Sequence, residues 1–80
     1  MNNEIIKLIE ADFSEKDREK AIKEMSSITL KHVMAESEQN LKNTWLAILK
    51  LSKGNLTELI RLVECAKQDF RDVIYWSTME

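Results

Sequence analysis

The sequence predicts an all-α protein, a single small antiparallel bundle of four to five helices. Three observations support this fold class. Apolar residues recur at three- and four-residue steps along the chain, which is the period of a helix and not of a strand. Proline is absent and glycine occurs once in 80 residues, which disfavours a turn-rich all-β fold. The breaks between the periodic segments are short, so we expect consecutive helices to pack against each other as one domain over residues 1–80.

The first helix is predicted over about 3–12, where apolar residues such as Ile5 and Ile9 repeat at helical spacing. Ser14 followed by Asp17 is typical of a helix start. A serine side chain at this position can accept a backbone N–H that has no partner within the helix. We therefore expect a second helix to begin directly after Ser14.

This second helix is predicted over about 15–35. Seven residues are expected on its inner face: Ala21, Ile22, Met25, Ile28, Thr29, His32 and Val33. The pair Ser26-Ser27 is its weak point, because serine side chains compete for backbone hydrogen bonds. A bend at this pair is compatible with the pattern.

A third helix is predicted over about 38–52, after a polar break. Its apolar side chains fill an arc of about 200° on a helical wheel, which is typical of a central helix contacted from several sides. We expect Trp45 and Ile48 to lie at the centre of the core. Gly54, the one glycine, is expected to adopt a left-handed conformation that ends this helix.

The fourth helix is predicted over about 56–68. Asn55 is expected to cap it, with Glu58 as the reciprocal partner of a capping box. A last short helix over about 70–77 can begin at Asp69, and the sequence leaves open whether it is separate or a continuation of the fourth helix.

The last third of the chain contains a distinctive run of residues. Its members are Gly54-Asn55-Leu56, Leu59, Leu62-Val63, Ala66, Asp69-Phe70-Arg71-Asp72-Val73-Ile74 and Trp76. This pattern resembles the C-terminal part of small bacterial helical proteins of unknown function. In those proteins Ala-Glu-Tyr follows the tryptophan, whereas this chain has Ser77-Thr78-Met79. The resemblance implies a small helical domain and no catalytic motif.

Charge and composition disfavour several classes of function. Twelve basic and fourteen acidic residues give a net charge of −2, whereas nucleic-acid binders are usually basic. The start of the chain lacks the pattern of a signal peptide, and the longest apolar stretch, 45–49, is too short to span a membrane. Cys65 is the only cysteine, which favours a cytoplasmic location. The abundance of lysine, isoleucine and asparagine suits a low-GC bacterium or its phage.

No constellation of residues predicts catalysis, a metal or a cofactor. His32 and Glu36 lie four apart, on one face of the predicted second helix, but no second histidine completes a metal site. Cys65 is expected to face solvent or a partner, and its pairing with His32 as nucleophile and base has no support beyond one copy of each. Paired carboxylates such as Asp69 and Asp72 are interpreted as helix-start residues. We therefore expect a non-enzymatic protein with no evident small-molecule substrate.

A DNA-binding helix-turn-helix would use the third helix, Gly54 and the fourth helix. Positions that should be small or apolar are instead occupied by Lys50, Lys53 and Asn55. Glu58 and Glu64 on the fourth helix would repel phosphates. A small helical transcriptional regulator is therefore the second hypothesis for the function, and an enzyme with an unrecognised site is the third.

Tyr75 and Trp76 are the candidate partner-binding residues. If the last helix buries Phe70 and Val73, one helical stripe cannot also bury two adjacent aromatic rings. Aromatic residues are enriched in protein interfaces, so these rings predict self-association as a homodimer. The alternative is that both rings plug the open end of a monomeric bundle. The leading hypothesis is thus a protein–protein interaction module, namely a small regulatory, inhibitory or adaptor protein.

Overall fold

The structure, a computed structural model, describes residues 1–79, and all of its regular elements are helical. The α-helices are α1 (Asn3–Asp12), α2 (Glu15–Ser26), α3 (Glu38–Ser52) and α4 (Leu56–Thr78). Two short 3-10 turns, Leu30–His32 and Met34–Glu36, lie between α2 and α3. The all-α class is confirmed, and α1 and α3 span the predicted ranges.

The predicted second helix over 15–35 is wrong in its C-terminal half. α2 ends at Ser26, and the hydroxyl of Ser27 donates to the carbonyl of Glu24 at 2.5 Å. Serine thus competes for the helical hydrogen bonds, as the sequence suggested, but it ends the helix instead of bending it. Ile28 and Val33 are nevertheless buried, because the irregular segment still turns its apolar side chains toward the core.

Side chains at the helix starts fix where α1 and α3 begin. Asn2 accepts the N–H of Ile5 at 2.9 Å, and Ser37 accepts the N–H of Asn40 at 3.2 Å. Ser14 occupies the position before α2, but the cap predicted for its side chain is wrong. The hydroxyl of Ser14 instead donates to the carboxylate of Asp17 at 3.3 Å.

The turn between α3 and α4 contains two consecutive left-handed residues. Lys53 has a φ of 50° and Gly54 a φ of 80°, which confirms the prediction for Gly54. The side chain of Asn55 accepts the N–H of Glu58 at 2.9 Å, so the predicted cap of α4 is also confirmed. The reciprocal half of the capping box is wrong, since the carboxylate of Glu58 binds Arg61 instead.

α4 is interrupted at Asp69, where φ is −157° and ψ is 101°. We call residues 56–68 the first arm and residues 70–78 the second arm. The carboxylate of Asp69 accepts the backbone N–H of Arg71 at 3.0 Å and also binds the guanidinium group of Arg71. This bond to the backbone satisfies a donor at the start of the second arm, so Asp69 acts as a cap within α4.

The core lies around α3. The buried apolar residues are Ile5, Ile9, Phe13, Ala21, Met25, Ile28, Val33, Trp45, Ala47, Ile48, Leu49, Leu59, Leu62, Val63, Ala66, Phe70 and Val73. The predicted burial of Trp45 and Ile48 is confirmed. The indole N–H of Trp45 donates to the carbonyl of Met25 at 2.9 Å, which satisfies the one polar atom of this side chain and ties α3 to α2.

Within residues 1–79, no helix combines the length and the apolar character needed to cross a membrane.

Candidate functional site

Tyr75 and Trp76 lie on the outer side of the second arm. Tyr75 is 63% exposed and Trp76 is 38% exposed, and Met79, one turn further on, is 71% exposed. The opposite side of the arm is buried through Phe70, Val73 and Ser77. The alternative in which both rings plug the bundle is wrong for Tyr75, because its ring points away from the core.

A hollow of about 410 Å³ adjoins two of these exposed side chains, Trp76 and Met79. Its lining residues are Leu51, Glu58, Arg61, Leu62, Trp76 and Met79. We call this hollow the terminal groove. It combines the end of α3, the beginning of α4 and the end of α4.

The bend at Asp69 creates the terminal groove. In a straight helix, Leu62 and Trp76 would stand about 21 Å apart, since each residue adds about 1.5 Å. The two residues instead line the same hollow, so the second arm turns back toward the beginning of the first. Without the bend, Trp76 and Met79 would lie far from Leu51.

A charged pair lies on the wall of the groove that the first arm provides. The Nε of Arg61 donates to Glu58 at 3.1 Å, and a second nitrogen of the guanidinium group also binds this carboxylate. The hydrogen bond from Arg61 holds the pKa of Glu58 below its ordinary value, and the same bond raises the pKa of Arg61. Both groups therefore stay charged at neutral pH and place one acid and one base beside the apolar side chains.

The terminal groove is suited to binding a protein surface. Leu62 is almost fully buried and forms a fixed floor, and Met79 lines the groove while projecting into solvent. Tyr75, next to Trp76 in the chain, is exposed but does not line the groove. Methionine is flexible and adapts to irregular apolar surfaces, while tyrosine offers a rigid ring with a polar tip. The arrangement can bury apolar side chains of a partner and pair its charges.

A second concavity of about 560 Å³ lies at the other end of α3. We call it the Trp45 cleft. Its apolar lining comes from Met1, Ile28, Leu30, Leu41 and Trp45, and Lys31 and Glu36 stand at its edge. The sequence did not predict this cleft, because the irregular segment between α2 and α3 forms one of its walls.

The structure does not bring the candidate metal ligands together on a helix. His32 is half-buried in a 3-10 turn, where its Nδ1 accepts the N–H of Thr29 at 2.9 Å. Glu36 is the last residue of the next 3-10 turn and has a left-handed conformation with a φ of 48°. The predicted shared helical face is therefore wrong. The part of the chain that the structure describes contains no group of three or more His, Cys, Asp or Glu residues suited to a metal ion.

Cys65 is half-buried and packs against the core from the first arm. The expectation that its thiol faces solvent or a partner is thus wrong in part.

Two other acids of α4, besides Glu58, have basic neighbours. Glu64 lies 3.9 Å from Lys67, and Arg71 holds the pKa of Asp69 below its ordinary value through their hydrogen bonds.

Comparison of the chain with protein-family models, with curated proteins and with solved structures finds no match.

Proposed function

We propose that this chain is a non-enzymatic protein–protein interaction module, of the small regulatory, inhibitory or adaptor kind, that binds through the terminal groove. The observation that supports this proposal most strongly is the exposure of Trp76 and Met79 in the lining of the groove, with Tyr75 exposed next to Trp76 in the chain. Exposed apolar side chains that cluster around a hollow are typical of interaction sites. Tyrosine and tryptophan also contribute a large share of the binding energy in many interfaces.

We further propose that a second copy of the chain is a partner, which gives a homodimer. A twofold interface brings the same patch from both copies together, so that patch must complement itself. The terminal groove meets this requirement in charge, because Glu58 and Arg61 offer one acid and one base. In such a dimer Glu58 of one copy can face Arg61 of the other, while the rings of Tyr75 and Trp76 pack together across the interface.

Sedimentation velocity at tens of micromolar tests self-association. We expect a dimer for the wild type and a monomer for the double variant Tyr75→Ser/Trp76→Ser, with helicity retained in both. Met34→Ser is the matched control, since Met34 is 56% exposed but does not line the terminal groove. This control is expected to remain dimeric. A monomeric wild type would contradict the homodimer, and a dimer that survives the double variant would place the interface elsewhere.

The arrangement of the helices is also a proposal. A turn of three residues, 53–55, joins α3 to α4, and helices joined by so short a turn usually pack as an antiparallel pair. We therefore propose an antiparallel bundle.

The cellular setting is a proposal as well. A single cysteine supports a cytoplasmic location. The composition supports a bacterial or phage origin, and the resemblance of the last third to small bacterial proteins points in the same direction. The transcriptional regulator and the enzyme stay predictions from the sequence.

A further inference from the structure

We infer that the second arm can exchange between two copies of this chain, with Asp69 as the hinge. In the resulting swapped dimer, residues 70–78 of each copy occupy the place that the second arm of the other copy fills in the monomer. This inference goes beyond the proposed function. Its interface is the buried side of the arm, formed by Phe70, Val73 and Ser77, and not the exposed groove.

The hinge consists of one residue. Within α4, Asp69 has non-helical backbone angles, and helical residues stand on both sides of it. A rotation at Asp69 into the helical region therefore converts the two arms into one straight helix. That helix would be about 35 Å long, at 1.5 Å for each of its residues. The whole molecule extends 34 Å along its longest axis, so the second arm would leave its own core.

A second copy can restore the contacts between the second arm and the rest of the chain that this opening breaks. Opening exposes the side chains of Phe70 and Val73 and leaves an equal apolar surface vacant on the rest of the chain. The second arm of another copy has the same sequence, so it fits that surface with the same side chains. Exchange of identical elements is a low-cost route to dimers, and short hinges favour it.

Contacts within the hinge favour the closed form. The carboxylate of Asp69 accepts the backbone N–H of Arg71 at 3.0 Å, and it binds the guanidinium group at 3.0 and 3.1 Å. These bonds lie on the surface, where water competes for both partners. Local bonds of aspartate to the backbone also compete with helix formation at this position. The identity of residue 69 therefore governs the balance between the bent and the straight form.

Substitutions at Asp69 test this inference. Asp69→Ala removes the bonds to Arg71 and introduces the strongest helix former, so we expect the dimer association constant to rise about tenfold or more. Asp69→Asn is the matched control, because an asparagine side chain still accepts the N–H of Arg71. Its association constant is expected to stay within about threefold of the wild-type value. Sedimentation velocity over a range of concentrations gives these constants.

The same variants in the Tyr75→Ser/Trp76→Ser background separate the two dimers. In this background the dimer that forms through the terminal groove is lost. If the arms exchange, Asp69→Ala still increases the dimer association constant. The proposed function and the exchange can therefore fail independently. If Asp69→Ala does not fold, wild-type protein refolded at high concentration supplies the second measurement, because exchange traps a dimer that separates slowly after dilution.

Isotope-filtered NOEs on mixed labelled and unlabelled protein identify the exchanged element. Val73 is fully buried, so its methyl groups contact the core and not the exposed groove. Intermolecular NOEs from the Val73 methyl groups are expected only in the swapped dimer. A monomeric Asp69→Ala variant, or a dimer whose Val73 contacts are all intramolecular, would overturn the inference.

Discussion

Replacement of Gly54 by alanine tests how α1 and the turn after α3 are joined. Gly54 has a φ of +80°, and a Cβ atom at this position would lie 2.5 Å from the backbone carbonyl oxygen of Asp12. The left-handed conformation costs a residue with a Cβ roughly 1–2 kcal/mol. Overpacking against a fixed neighbour adds about 1–3 kcal/mol. The carbonyl of Asp12 belongs to the end of α1 and cannot rotate away as a side chain does.

We therefore expect Gly54→Ala to lower the free energy of unfolding by about 2–5 kcal/mol. The left-handed conformation alone accounts for roughly 1–2 kcal/mol of this loss. Urea unfolding followed by far-UV circular dichroism measures the difference. A loss of about 1 kcal/mol or less would refute the reasoning, because the end of α1 would then move aside freely.

Three further changes have defined outcomes. Ala35→Gly is expected to raise the free energy of unfolding, measured with urea, by up to about 1 kcal/mol. The reason is that Ala35 is exposed and has a φ of 59°, which glycine adopts more readily, and a destabilised variant would contradict it. Trp45→Ala is expected to lower the free energy of unfolding by roughly 3–5 kcal/mol. Trp45→Phe, which removes the hydrogen bond to Met25, is expected to lower it by less. An unchanged melting temperature for Trp45→Ala would show that α3 is peripheral. Glu58 and Asp69 have pKa values below their ordinary ones in the folded chain. Their ionised carboxylates therefore stabilise the fold fully above the ordinary carboxyl pKa range, and this stabilisation is lost as the pH falls through their pKa values in the folded chain. Unfolding curves recorded over a series of pH values measure this loss of stability, and the double variant Glu58→Gln/Asp69→Asn should show a smaller loss. An equal loss in the double variant would show that other carboxyl groups cause it.

Local capping signals made much of the helix pattern predictable. Gly54 and Asn55 act within a few residues of their own positions, and the structure places both as predicted. Side chains of this kind bond to nearby backbone whatever the rest of the chain does. The start of α2 after Ser14 was predictable in the same way, but the bond predicted for the Ser14 hydroxyl was wrong.

The end of α2 was not predictable from apolar spacing. Ile28 and Val33 continue the helical period beyond Ser26, and both are buried, although the backbone between them is irregular. Apolar spacing reports which residues face the core, and more than one backbone path can satisfy it. The left-handed conformations of Ala35 and Glu36 have no signal in those residue types.

The terminal groove was predictable only in part. Adjacent aromatic residues predicted that one helical stripe cannot bury both Tyr75 and Trp76, and the structure exposes both of them. The groove itself also requires Leu51 and Glu58, which stand more than fifteen residues earlier in the chain. The bend at Asp69 brings these parts together, and the sequence left that bend open. Tertiary arrangement of this kind depends on how the whole core packs.

The concentration dependence of amide chemical shifts tests the proposed interaction most directly. Spectra of uniformly labelled protein, recorded from millimolar to micromolar concentration, report each residue separately. Binding of a second copy at the terminal groove predicts shifts at Leu51, Glu58, Arg61 and the residues from Tyr75 to Met79, with little change around the Trp45 cleft. Spectra that do not change on dilution, or changes centred on the Trp45 cleft, would contradict it.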